Sequence, residues 1–381
     1  MQSSKILITC AKGIVPFLKE EIQTLGFSIQ EELASAVVTT GTLVDTMKLN
    51  LHLRTAQRVL YFLQEFKASS PDEFYRAMMR IKWEDYIPAE GYVCVTSSVH
   101  TDTIKDTRFA NLKGKDAIVD RINQKRGKRP DSGPARDRSV VFFYWQDKEC
   151  SIYLDTSGEA LYRRGYRRLH GDAPMQETLA AAVILASGWS GTTPFINPMC
   201  GSGTLAIEAT LLALNRAPGL MRSNYGFMHL NWYNAFEWNK LCKRARETAK
   251  KALSCKIIAT DHDPKAISVA RQNALAANAD RWIEFHACDF AETPVPEGAG
   301  VVVMNPEYGE RMGKVTELEE TYGRMGDFLK EKCQGYTGYI FTGNLELAKK
   351  IELHTNRRIA FYNGEIECRL LEYQLYQGSR A

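Results

Sequence analysis

Four consecutive residues, Asn305-Pro306-Glu307-Tyr308, bring a side-chain amide oxygen, a backbone carbonyl, a carboxylate and a phenol ring into one short turn. That set suits an amino group conjugated to an aromatic base. Such a nitrogen is a poor nucleophile, so a site acting on it must accept its two hydrogens and leave its electron density aimed at an electrophile. The Asn305 side-chain oxygen and the Pro306 carbonyl are the expected acceptors, and Tyr308 is the expected platform for a base flipped out of a helix. Upstream, Asn197-Pro-Met199-Cys200-Gly201-Ser-Gly203-Thr204 follows the apolar Phe195-Ile196 and opens a helical pattern. Glycines let backbone approach a ligand closely, and the helix start favours a carboxylate or phosphate. Alone, either string also reads as an ordinary turn. In this order along one chain they read as the cradle of a methyl donor followed by the cradle of an amine.

Both strings need strands that end at one rim. The chain from Glu177 onward alternates between strand and helix patterns: helix 177–187, strand 194–197, helix 204–214, strand 256–260, helix 264–277, strands 283–287 and 300–304, helix 318–332, strand 338–342, helix 345–351, and a closing pair 358–362 and 366–376. Such alternation predicts an α/β, doubly wound, mostly parallel sheet with an antiparallel last hairpin. At the second strand's end, Asp261-His262 offers a carboxylate where ribose hydroxyls sit in such sheets, and Asp263 reads as the cap of the helix starting at Pro264. Asp289-Phe290, after the third, offers an acceptor for an adenine amino group beside an aromatic face, or else a simple turn.

At these residues the chain resembles the class I S-adenosylmethionine-dependent methyltransferases that carry a THUMP RNA-binding domain, and in particular the bacterial ribosomal RNA large-subunit guanine methyltransferases. The likeness rests on Arg163-Arg-Gly-Tyr-Arg167, Ala173 to Ala181, Asn197 to Glu208, Asn305 to Arg311 and Phe341-Thr-Gly-Asn344, and it covers nearly the whole chain. It implies S-adenosylmethionine as cofactor, with Asn197, Met199, Gly201, Gly203 and Thr204 around its methionine part. It further implies Asp261 and His262 at its ribose, Asp289 and Phe290 at its adenine, and Met175 and Thr178 closing the pocket. Asn305, Pro306, Glu307 and Tyr308 become the catalytic set. The domains it implies are a ferredoxin-like segment over 1–60, THUMP over 45–157, a linker over 158–172 and the methyltransferase over 173–381. Asn197 stands where an aspartate is common in the family, and Glu307 where a second proline is. Glu307 is expected to swing to solvent or to meet a guanine's Watson–Crick edge.

Charge points the same way. Lys105 to Arg138 carries +6 and the arginines at 163, 164, 167 and 168 add +4, which leaves −6 on the rest of a chain whose net charge is +4. Basic charge concentrated in one part of a mildly acidic chain is an electrostatic footprint for a polyanion. The expected RNA contacts are Lys113, Lys115, Lys125, Arg126, Lys128, Arg129, Arg163, Arg164 and Arg167. The expected partner is structured RNA, with 23S rRNA favoured and tRNA possible. A catalytically weakened RNA-binding assembly factor is the reading from another class, and DNA adenine methylation a more distant one.

Nine cysteines form no close pair, which argues against a disulfide framework and a zinc site, and Cys200 reads as a packing residue. With no apolar run near the roughly 18 residues of a membrane span and no signal-peptide pattern, the expected setting is cytoplasmic, the expected state a monomer, and no metal is expected. In the N-terminal part, helical spacing predicts a helix over 43–63 that turns strand-like near Tyr61. It also predicts a helix over 111–122 with a Lys-rich face. The aromatic stretch 215–240 is expected to pack as a lid or brace.

Overall fold

The computed structural model describes residues 3–104, 106–167, 175–308 and 315–376. The Ala173-Pro174 start of one motif, the Gly309-Glu-Arg311 end of another and the 168–172 part of the expected linker lie outside the described residues. The chain divides into two compact units, each discontinuous in sequence.

The first unit comprises 1–10, 18–161 and 222–244. Its eight strands, among the described residues, are β1 (Ser4–Thr9), β2 (Ile29–Leu33), β3 (Ala36–Gly41), β4 (Arg58–Lys67), β5 (Tyr92–His100), β6 (Asp131–Ser132), β7 (Ser139–Gln146) and β8 (Glu149–Asp155). They form one sheet in the order β2-β3-β1-β4-β8-β7-β5-β6. Helices α1 (Val15–Thr24), α2 (Leu43–His52), α3 (Pro71–Arg80) and α4 (Thr107–Arg126) accompany it. Thr42 and Asp45 form a capping box at the start of α2. The predicted helix over 43–63 is too long. It stops at His52, and β4 takes the following residues because they pair with both β1 and β8, a tertiary demand that outweighs helical spacing.

Residues 222–240 of the aromatic stretch brace this unit. Tyr225 stacks on Phe227 at 5.0 Å, Trp238 meets Phe227 edge-on at 5.1 Å, and the Phe227 N–H donates to the Thr156 carbonyl at 3.0 Å.

The second unit comprises 11–17, 162–221 and 245–381. Its elements are α5 (Glu177–Ala186), β9 (Phe195–Asn197), α6 (Thr204–Ala213), β10 (Ile257–Asp261), α8 (Pro264–Ala276), β11 (Ile283–Ala287), β12 (Val301–Met304), α9 (Val315–Lys332), β13 (Thr337–Thr342), α10 (Leu345–Ala348), β14 (Arg357–Asn363) and β15 (Ile366–Gln374); α7 (Ala235–Glu247), most of which belongs to the first unit, precedes β10 in the chain. The sheet runs β11-β10-β9-β12-β13-β15-β14, parallel through β13, with β15 antiparallel to both neighbours. This is the doubly wound arrangement that the alternation predicts. Ile196, Ile258, Val302 and Ile340 from four adjacent strands share one core with Tyr322, Met325 and Leu329 of α9. Strands covered on both faces read as unbroken apolar runs, which is why Val301-Val-Val-Met304 has no polar alternation.

Candidate active site

β9 lies between β10 and β12, paired in parallel with each, so the chain leaves all three strands at the same carboxyl rim. In an open α/β sheet, that rim at the point where strand order reverses is where ligands bind. The 197–204 turn leaves β9 there, and the 305–308 turn leaves β12 beside it. A direct bond joins the two strands: Asn197 Nδ2 donates to the Val303 carbonyl at 2.9 Å.

The first turn is built around backbone conformations that few side chains tolerate. Met199 (φ 55°), Gly201 (φ 52°) and Gly203 (φ 80°) all lie in the left-handed region. A Cβ on Gly203 would stand 2.9 Å from Ala270 Cβ of α8, whereas one on Gly201 would meet nothing within 4 Å. Gly203 therefore allows helix packing and Gly201 faces open space, which fits a ligand laid against the loop. The buried Asp261 fixes the turn from β10. Its Oδ2 accepts the Gly201 N–H at 2.9 Å and its Oδ1 the Asp263 N–H at 3.0 Å. Asp263 caps α8 through the Lys265 N–H at 2.9 Å, and the His262 side chain is 80% exposed.

At the end of β11, Asp289 Oδ1 accepts from the Ala291 N–H at 2.9 Å and from Arg324 Nη2 at 2.7 Å. Burial raises this carboxyl, but the Arg324 guanidinium and the Ala291 N–H outweigh it and hold it below the usual carboxylate range. Phe290 departs from expectation. Its ring is buried edge-on to Phe328, with the Arg324 guanidinium 4.9 Å above it, so no open aromatic face is offered there.

In the second turn the Asn305 side-chain oxygen is buried and has no hydrogen-bond donor among the described residues, while Pro306 is buried and the Glu307 side chain exposed. Tyr322 of α9 donates to the Glu307 backbone carbonyl at 3.2 Å and lies 2.8 Å from Thr342 Oγ1. Tyr308 is half-buried. Asn363 Nδ2 donates to its hydroxyl at 2.9 Å, and its ring lies where a Cβ on Gly343 would come within 3.1 Å. These supports, Tyr322, Thr342, Gly343 and Asn363, do not follow from sequence spacing, although Thr342 and Gly343 belong to the Phe341-Thr-Gly-Asn344 string.

Met175 and Thr178 sit at the start of α5, both buried, and the Thr178 hydroxyl has no hydrogen-bond partner among the described residues. Burial pushes the Cys200 thiol well up, which removes it as a nucleophile. Among the described residues no group of three His, Cys, Asp or Glu side chains is arranged to hold a metal ion, and no helix is long and apolar enough to cross a membrane.

Two of the expected RNA contacts are not on a surface. Arg164 is 1% exposed and faces Glu208, with Nε 3.6 Å from Oε1. Arg167 donates to the Met175 carbonyl at 2.8 Å and Thr204 Oγ1 at 3.0 Å, with Nε 3.2 Å from Glu177 Oε1. A guanidinium enclosed by protein acceptors does not reach a phosphate, so both are corrected to internal roles. Arg163 is exposed. In the first unit, Lys125 and Arg126 occupy the exposed last turn of α4, which ends at Gly127 in the left-handed conformation. Lys113, Lys115 and Arg129 pair with Asp72, Asp116 and Asp120 at 3.4, 2.8 and 2.6 Å, and Lys128 pairs with Glu90. Surface pairs of this kind contribute little and re-form readily with phosphate.

Comparison with known proteins gives a consistent answer. A family model described as the RMKL-like methyltransferase domain matches residues 164–372, an RlmL ferredoxin-like domain matches 5–60, and a THUMP domain matches 68–155. The ribosomal RNA large subunit methyltransferase K/L of Syntrophotalea carbinolica is 37% identical over 97% of this chain and 53% of its own length. The protein of the same name from Pseudomonas paraeruginosa is 35% identical over 97% and 53%. The chain thus spans about half the length of these curated relatives. Among solved structures, SMU.472, given as a candidate methyltransferase and complexed with SAH, superposes with a TM-score of 0.90 at 25% identity, covering 100% of both chains.

Proposed function

We infer that this chain, which belongs to the RMKL-like methyltransferase family, transfers a methyl group from S-adenosylmethionine to the exocyclic 2-amino group of a guanosine in RNA, with 23S rRNA as the favoured substrate. The observation that carries this reading is the Asn305 oxygen, buried and without a donor among the described residues, at the end of the strand beside the one that leads into the donor turn. An unsatisfied buried acceptor costs about 1–3 kcal/mol. A substrate amine supplies the missing hydrogen.

When bound, the cofactor supplies an electrophilic methyl carbon on a sulfonium. Gly201, Gly203 and Thr204 would hold its methionine part, Asp261 its ribose and Asp289 its adenine amino group. Asn305 Oδ1 and the Pro306 carbonyl accept the two hydrogens of the base amine, so that nitrogen density points away from them toward the carbon. Tyr308, steadied by Asn363 and Gly343, stacks on the flipped base. No covalent protein intermediate is required, because positioning in a dry pocket supplies most of the rate. The proton released after transfer leaves by solvent. The Lys125–Arg126 end of α4 offers phosphate contacts, in keeping with a THUMP module and a cytoplasmic RNA substrate.

Nucleoside mass spectrometry of RNA from cells lacking this protein tests the reading. N2-methylguanosine should fall in large-subunit rRNA at one mapped position. Loss from tRNA alone would move the substrate to tRNA, and no lost mark in either RNA would favour an assembly factor.

A further inference from the structure

Arg163-Arg164-Gly165-Tyr166-Arg167 carries basic charge that the RNA-facing reading does not use, because two of its three arginines are enclosed in the second unit. Arg167 is only 11% exposed. One planar guanidinium touches the Met175 carbonyl before α5, the Glu177 carboxylate that begins α5, and the Thr204 hydroxyl that begins α6. One turn further into α6, Glu208 is held by the Tyr166 hydroxyl at 3.0 Å and faces Arg164. The segment therefore grips α6 at two successive turns. It does so at the end of the Gly201–Gly203 loop, where the first N–H groups of the helix have no intrahelical partner. The Thr178 hydroxyl, buried and unpartnered, belongs to the same first turn of α5 that Arg167 anchors.

We propose that Arg167 is a positioning residue for the amino-acid end of the methyl donor: by holding Thr204 and Met175 it sets the start of α6 to receive the donor's α-carboxylate. This rests on the donor reading given above. The chemistry is specific to a guanidinium. A helix N-terminus with a nearby cation suits a carboxylate, and three acceptors in different directions match a planar fork of donors but not a lysine's point charge. Arg167 does not touch the adenosine half of the ligand in this scheme, and that separates it from a residue that merely keeps the unit folded.

The test is calorimetric titration of the wild type, Arg167→Lys and Thr204→Val with two probes, S-adenosylhomocysteine, which has the amino-acid end, and 5′-methylthioadenosine, which lacks it. Both variants should bind the first about tenfold more weakly and the second within about twofold of wild type, with thermal midpoints reported alongside. Equal weakening of both probes would mean a general structural role and would overturn the proposal, as would unchanged binding of both. A wild type that binds neither probe would overturn the donor reading and this inference together.

Discussion

The side-chain amide of Asn197 donates to the backbone carbonyl of Val303 across 2.9 Å, and so ties the strand that ends in the donor turn to the strand that ends in the acceptor turn. An ionised aspartate in this place would have no hydrogen to donate. Asn197 supplies an uncharged strap between the two halves of the site.

Asn197→Asp would set a carboxylate against the Val303 carbonyl in a fully buried place. Its folded pKa must lie above the unfolded value of about 3.9. A group raised in this way contributes stability only below the unfolded value and loses it as pH climbs through the folded one. The variant should be about 1–3 kcal/mol less stable than wild type at about pH 8 and closer to it near about pH 4. Urea unfolding at the two pH values reads the difference, and a loss independent of pH would contradict it.

Asn305→Ala removes the acceptor that waits for the amine. Donor affinity should stay within about twofold, while kcat falls by about 10²–10³-fold, the range seen when one preorganised hydrogen-bonding group is deleted. Single-turnover methylation with calorimetry of the donor separates these. A rise in donor Kd with unchanged kcat would place Asn305 in the wrong half of the site.

Asp289 is held below the usual carboxylate range chiefly because Arg324 and the Ala291 N–H offset the effect of burial. A carboxyl lowered in this way keeps its charge until pH falls through the folded value, below about 3.9. Donor affinity should therefore be flat from about pH 5 to 8 as far as this residue is concerned. In Arg324→Ala the acid-side fall should begin at higher pH. Superimposable pH profiles for variant and wild type would remove Arg324 from this role.

Glu307 points its side chain outward, and its backbone carbonyl is fixed by Tyr322. Its exposure favours the solvent-facing fate over contact with a guanine's Watson–Crick edge. Glu307→Gln should then turn over the same RNA within about twofold of wild type, since an exposed carboxylate without a buried partner contributes little. A loss of an order of magnitude would restore the Watson–Crick role.

Much of this architecture is legible in the sequence because buried parallel strands and capped helices leave strong marks. Val301-Val-Val-Met304 can only be a strand covered on both faces, and Asp263-Pro264 announces α8. β2 leaves no such mark: Ile29-Gln-Glu-Glu-Leu33 has no apolar alternation and forms through its pairing with β3. The helix reading over 43–63 fails because β4 is fixed by its neighbours on both sides. In the site, the two turns are legible as motifs, whereas the donation from Asn363 to Tyr308 depends on where the β14–β15 hairpin ends. Nor does an arginine string reveal whether it faces solvent. Arg164 and Arg167 have Glu208 and Glu177 folded onto them, acids far enough away in sequence that composition gives no warning.

The most direct measurement is incubation of the purified protein with methyl-labelled S-adenosylmethionine and unmodified 23S rRNA, followed by digestion to nucleosides and mass spectrometry. Label is expected in N2-methylguanosine, appearing about 10²–10³-fold more slowly in Asn305→Ala. Label in N6-methyladenosine, or in no nucleoside while the protein binds both donor and RNA, would contradict it.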